Sequence, residues 1–138
     1  MIPSFWANEG EWKQLVASTV NPMAGGYVKV GYSRGGAVTQ ATSKSTGVTL
    51  NALSGDITMN AASLAATTAV SFTLTNNAIT ADDQLFVTHQ SAGTFGSYDI
   101  KTQCAAGSAT IRVYNNTGGA LAEAIVLRFS VFKCSTDG

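Results

Sequence analysis

The chain has 138 residues, of which only 12% are charged, and its formal net charge at pH 7 is zero. This length suits one domain with a core of its own. The eight basic residues are scattered, whereas a nucleic-acid-binding surface needs clustered Lys and Arg. No apolar run reaches the ~18 residues of a membrane span, and Glu9 and Glu11 fall where a signal peptide would lie. We therefore expect neither nucleic acid nor membrane among the partners.

Residues 1–24 differ from the rest of the chain and predict an N-terminal arm with a short helix. Residues 1–6 are expected to be extended, since the residue before a proline avoids the helical region. Asn8 can cap a helix over residues 9–17. The apolar face of that helix is formed by Trp12, Leu15 and Val16. Two helical turns are marginal alone, so we expect this face to dock on its own domain or on another subunit.

The remainder, residues 25–138, is predicted to be a single β-sandwich domain. Short runs of alternating apolar and polar residues are separated by turns rich in Gly and Asn. The clearest alternations lie at residues 70–74, 85–89, 98–102, 109–113 and 125–131. About 8–9 such strands with almost no helix predict an all-β fold, either an antiparallel β-sandwich or a jelly roll.

No group of residues indicates catalysis or a metal site. His89 is the single histidine of the chain. It has no Cys, Asp or Glu at ligand spacing, so a strand-surface or satisfied interior histidine is expected. The acidic pair Asp82–Asp83 is expected to cap and solvate a turn rather than to bind calcium. We expect no catalytic residues, no cofactor and no metal.

The two cysteines, Cys104 and Cys134, do not make a disulfide framework. Both lie near the ends of predicted strands, so the two side chains could lie close in space. Two reduced thiols are the main expectation, and a bridge is the alternative.

The succession of strand and turn residues from Ala37 to Lys133 resembles a β-rich module of tailed-bacteriophage virion proteins. The resemblance is carried by residues 37–51, 54–59, 71–76, 109–117 and 123–131. This module occurs in capsid decoration (cement) proteins and in some tail-fibre or spike proteins.

The resemblance implies a structural protein rather than an enzyme, made in the cytoplasm of the bacterial host and located on the outer capsid surface of the virion. There it would stabilise the lattice of the major capsid protein. Its partners would be that protein and further copies of itself, as a homodimer or homotrimer. The low charge content fits such packing, because interface centres are depleted of charged residues. In such a protein the glycosylation pattern Asn115-Asn116-Thr117 would be incidental.

Four N-terminal residues are the expected anchors in a groove of the capsid or of a neighbouring subunit, because aromatic residues are over-represented among interface hot spots. These residues are Phe5, Trp6, Trp12 and Leu15. Alternatively, Trp12 and Leu15 cover the open end of their own sandwich.

A second possible function of the protein is that of a tail-fibre, spike or vertex component whose loops bind a host receptor. A hydrolase is the weakest alternative.

Overall fold

The structure is a computed structural model that describes residues 21–22, 28–29 and 31–134. The predicted helix over 9–17 and the predicted anchors lie outside the described residues. The chain divides into two compact units between Ser33 and Arg34. In the first unit, β1 (Asn21–Pro22) and β2 (Val28–Lys29) pair antiparallel.

The second unit carries eight strands, and its described residues contain no helix. The strands are β3 (Ala37–Thr39), β4 (Val48–Thr49), β5 (Ser54–Thr58), β6 (Ala69–Thr75), β7 (Gln84–Ser91), β8 (Tyr98–Ala105), β9 (Ser108–Asn115) and β10 (Val126–Phe132). No helix of the described residues is long and apolar enough to cross a membrane.

The eight strands form two four-stranded sheets. The first sheet has the order β3-β5-β10-β7 and the second sheet has the order β4-β6-β9-β8. The β8–β9 hairpin joins neighbours within one sheet, whereas every other connection between these strands passes from one sheet to the other. The prediction of an all-β sandwich is confirmed. The sheets are mixed rather than purely antiparallel, because β3 pairs parallel with β5 and β4 with β6. These parallel pairs leave the narrower expectation of a jelly roll unconfirmed.

The core lies where the alternating apolar residues of the two sheets meet. In β6, Phe72 and Leu74 are buried, while the alternating residues Ser71 and Thr73 are exposed. In the first sheet, the residues predicted to share one face are all fully buried. They are Ile125, Leu127, Phe129 and Val131. Burying such a side chain contributes about 1.5–3 kcal/mol, so the strands retain the register that places these residues inside.

The end of β9 is fixed by a buried amide. Asn115 is fully buried, and its Nδ2 donates to the carbonyls of Leu64 and Ala65 at 3.1 Å and of Gly119 at 2.8 Å. Its Oδ1 accepts hydrogen bonds from both the backbone N–H and the hydroxyl of Thr117. The amide of the glycosylation pattern is therefore enclosed by protein and bound to carbonyls of the segments before β6 and after β9.

Candidate functional site

The outward side of the first sheet carries an exposed aromatic surface. On β10, Arg128, Ser130 and Phe132 point away from the core, because the alternate residues between them are buried. Ser130 lies opposite Phe86 of β7, whose neighbour Leu85 is buried. We call the surface formed by Phe86, Arg128, Ser130 and Phe132 the aromatic face.

Two phenylalanines dominate this face. Phe86 is 56% exposed and Phe132 is 58% exposed. Their ring centroids lie 6.2 Å apart with an interplanar angle of 87°, which is the edge-to-face arrangement that aromatic rings prefer. The two residues are diagonal neighbours across antiparallel strands. The two rings therefore form one continuous solvent-exposed apolar surface rather than two separate ones.

A fixed group of charges lies on the same face of the sheet as the two rings. Arg128 lies two same-face positions from Phe132, roughly 13 Å along the strand. Its Nε donates to Oδ1 of Asp56 at 2.7 Å, and its Nη2 donates to Oδ2 at 3.0 Å. Arg34 also donates to Oδ2 of Asp56. The side chains of Arg34 and Arg128 are 66% and 40% exposed, whereas that of Asp56 is 5% exposed.

The buried carboxylate orients both guanidinium groups. The hydrogen bond from Arg128 is the largest influence on the pKa of Asp56 and lowers it, with Arg34 acting in the same direction against the effect of burial. The same bond raises the pKa of Arg128. Two arginines around one carboxylate leave local positive charge, and Arg128 lies on the same face of the sheet as the aromatic rings. Arginine and aromatic side chains are enriched in protein interfaces relative to the rest of the protein surface.

A second notable region is the loop over residues 92–97, between β7 and β8. Thr94 and Tyr98 hold it to Glu123: the hydroxyls of Thr94 and Tyr98 each donate to the Glu123 carboxylate at 2.7 Å. Hydrogen bonds from Thr94 and Tyr98 lower the pKa of Glu123 to about 2. Burial, together with the bond to Glu123, raises the pKa of Tyr98. Phe95 projects from the loop and is 91% exposed.

One ring nitrogen of His89 is hydrogen-bonded to the same loop. Its Nε2 lies 2.6 Å from the carbonyl oxygen of Ala92. Its ring packs edge-on against Tyr98, with centroids 5.7 Å apart. The expectation of a satisfied histidine is confirmed, and its position indicates a role in holding the loop.

Of the acidic pair, Asp83 is buried and Asp82 is exposed. Asp83 accepts hydrogen bonds from Lys133 Nζ at 2.5 Å, from the N–H of Thr80 at 2.7 Å and from the N–H of Cys134 at 3.1 Å. Burial alone would raise its pKa, but these donors outweigh it and lower the pKa to about 2. The expected turn cap is confirmed for Asp83 by its bond from Thr80, but the expectation that Asp83 is solvated is wrong, because it is buried and forms an ion pair with Lys133 near the end of the last strand.

Among the described residues, no group of three or more His, Cys, Asp and Glu could hold a metal ion. Cys104 and Cys134 are both free and partly buried. Burial is the largest influence on the pKa of Cys104 and raises it, and the negative charge of Asp83 adds to the effect.

The predicted anchors Phe5, Trp6, Trp12 and Leu15 lie outside the described residues. The aromatic face was not among the sequence predictions. One signal was available: the alternation over 85–89 and 125–131 puts both phenylalanines on the side opposite the core. The sequence does not predict that Phe86 and Phe132 lie close together, because this depends on β7 lying beside β10.

Comparison of the chain with protein-family models, with curated proteins and with solved structures found no match.

Proposed function

We propose that this protein is a non-enzymatic virion component that binds the outer surface of a tailed-phage capsid and stabilises the major capsid protein lattice. The observation that carries the proposal is the paired exposure of Phe86 and Phe132 beside Arg128. The resemblance of residues 37–133 to decoration proteins supplies the identity of the partner.

The mechanism is stabilisation by linkage. A protein that binds the assembled lattice and not the dissociated subunits shifts the equilibrium away from disassembly. Repetition of the contact over a lattice makes the attachment multivalent, so even a small aromatic contact is effective. Phe5, Trp6, Trp12 and Leu15 remain the proposed anchors contributed by the N-terminal residues, towards the capsid or towards a neighbouring subunit.

The first test is the number of copies per virion, measured by quantitative mass spectrometry against the major capsid protein. A lattice-wide role predicts about as many copies as the major capsid protein, or about one third as many if one copy binds three capsid subunits. A ratio of a few per cent would contradict it.

The second test asks whether the aromatic face makes the contact. The double variant F86S/F132S should bind capsids at least tenfold more weakly, equivalent to about 1.4 kcal/mol, while its thermal unfolding stays close to that of the wild type. The matched control is F95S, which removes an even more exposed phenylalanine from another surface. Equal binding by F86S/F132S and wild type would contradict a role of this face.

One observation favours the alternative of a tail-fibre, spike or vertex component that binds a host receptor. Phe95 is 91% exposed on a loop that Glu123 holds in place, and rigid loops with exposed aromatic residues are common in binding sites. Under this alternative, F95S should reduce adsorption to host cells and F86S/F132S should not.

A further inference from the structure

The second sheet ends in a long strand, β8, whose outer edge has no hydrogen-bonded strand partner among the described residues. β8 spans eight residues, Tyr98–Ala105, and pairs with β9 without a register shift. In the described part of the chain no strand pairs with its other edge. The edge strands at the opposite side, β3 and β4, have only three and two residues. A long, regular edge is a template for pairing with another chain.

The backbone groups that face outward can be assigned from the hairpin. The N–H of Asn116 donates to the carbonyl of Ser97 at 2.9 Å, and in an antiparallel pair the direction of these groups alternates along the strand. The odd-numbered residues of β8 therefore direct their N–H and C=O towards β9. Tyr98, Ile100, Thr102 and Cys104 direct theirs towards the open edge.

The edge of β7 on the same side of the sandwich is partly occupied. Thr102 Oγ1 donates to the carbonyl of Leu85 in β7 at 2.7 Å. This side-chain bond occupies the Leu85 carbonyl, so β7 offers one hydrogen-bond acceptor fewer to another strand. The outward backbone groups of β8, in contrast, make no hydrogen bond within the described residues. The open edge of β8 is thus the more available of the two.

The exposed side chains of β8 carry an unbalanced charge pattern. Lys101 lies directly opposite Arg112 of β9, and like charges at such positions are destabilising. Neither residue forms an ion pair within the described part of the chain, where the ion pairs involve Arg34, Arg128 and Lys133. Arg112 instead stacks over Tyr114, with its Cζ 5.6 Å from the ring centroid.

We infer that β8 pairs antiparallel with β8 of a second copy of this chain, about a two-fold axis through Ile100. In this register Asp99 of each copy lies opposite Lys101 of the other, so one contact forms two ion pairs and offsets the repulsion from Arg112. A register centred on Lys101 would oppose the two lysines. A register centred on Thr102 would place Asp99 opposite Ala105 and leave the charges unmatched.

The outward-facing backbone groups fit the same register. Ile100 would face Ile100 as a hydrogen-bonded pair, with Tyr98 facing Thr102 on either side. Asp99 and Lys101 would then form the more closely spaced, non-hydrogen-bonded pairs, at about 4.5 Å between Cα atoms. The two second sheets would join into one continuous sheet. This dimer is independent of capsid binding, since it requires only the free protein.

The test is sedimentation velocity of the purified chain over a concentration series up to about 1 mM, near the weak limit of measurable association. Wild type should form a dimer whose dissociation constant rises with salt. D99K and K101D should each raise that constant at least tenfold, because each places like charges opposite one another. The double variant D99K/K101D should restore the dimer, because the swapped charges are again complementary.

The control is D82K, which makes the same charge change as D99K at an exposed position outside β8. It should dimerise like wild type. The inference is overturned if wild type stays monomeric throughout, if it forms a trimer, or if the single swaps dimerise as well as wild type. It is also overturned if the double variant is as weak as the single ones.

Discussion

Thr94 and Glu123 are 29 residues apart in the chain and are joined by two hydrogen bonds. The Glu123 carboxylate accepts from the backbone N–H of Thr94 at 3.1 Å and from its hydroxyl at 2.7 Å. This contact ties the loop after β7 to the segment before β10, so the Glu123 carboxylate helps to fix the position of the exposed Phe95.

Replacing Glu123 by Ala should release this loop and leave the β-sandwich folded. The expected result is faster hydrogen exchange at the amides of residues 93–98, with little change in the core strands, because the variant removes both bonds to Thr94 and the bond from Tyr98. Hydrogen-exchange mass spectrometry measures this directly. D82N, at an exposed carboxylate outside the loop, is the control, and equal exchange in both variants would contradict the assignment.

Gly93 and Gly96 provide a matched pair for the same loop. Both have positive φ angles, 67° and 83°. A Cβ at Gly93 would lie 2.5 Å from Cγ2 of Ile125 and 2.8 Å from Oε2 of Glu123, whereas a Cβ at Gly96 would meet nothing within 4 Å.

G96A should therefore cost about 1 kcal/mol of unfolding free energy from backbone conformation alone. G93A should cost clearly more, about 2–4 kcal/mol, because the overpacked neighbours must also move. Urea unfolding of the two variants measures the difference. Similar losses in both would mean that the space around residue 93 is larger than the structure indicates.

Asp83 should make the protein sensitive to acid. Its pKa is about 2 in the folded chain and about 3.9 when unfolded. The unfolded chain therefore binds more protons between about pH 4 and pH 2. Asp83 stabilises the fold fully above about pH 4 and loses this contribution as the pH falls through about 2.

The variant D83N should be less stable at neutral pH by about 1–3 kcal/mol, because it weakens the bonds from Lys133, Thr80 and Cys134. Its stability should also fall less steeply than that of wild type below about pH 4. Thermal unfolding at a series of pH values measures both effects. The neighbouring exposed residue gives the control D82N, which should follow the wild-type curve.

Side-chain direction could be predicted from the sequence wherever the alternation is regular. Leu127 and Phe129 were expected on one face and are both fully buried, because a strand with one buried face has only one register that hides its apolar set. The same pattern put Leu85 inside and Phe86 outside.

Strand neighbours could not be predicted in the same way. Alternation within a strand carries no information about which strand lies beside it, so neither the parallel β3–β5 pair nor the contact between Phe86 and Phe132 was predicted. Asp83 was expected in a solvated turn. It is instead buried and bonded to Lys133, which lies 50 residues further along the chain.

The sequence singles out Asn115 only as part of an incidental glycosylation pattern, and its role in the structure leads to the last prediction. N115D preserves the shape of the side chain but replaces an amide that donates to three carbonyls. The new carboxylate would face the carbonyls of Leu64 and Gly119 in a fully buried position.

An unpaired buried charge costs about 3–5 kcal/mol, so N115D should lose a comparable amount of unfolding free energy at pH 7, measured by urea denaturation. N116D makes the same chemical change at the adjacent exposed residue and should change stability by less than about 0.5 kcal/mol. Because the two variants make the same change at adjacent residues, the difference in their unfolding free energies measures the effect of burial. If N115D were as stable as N116D, the amide could not be what fastens the end of β9 to the segments around Leu64 and Gly119.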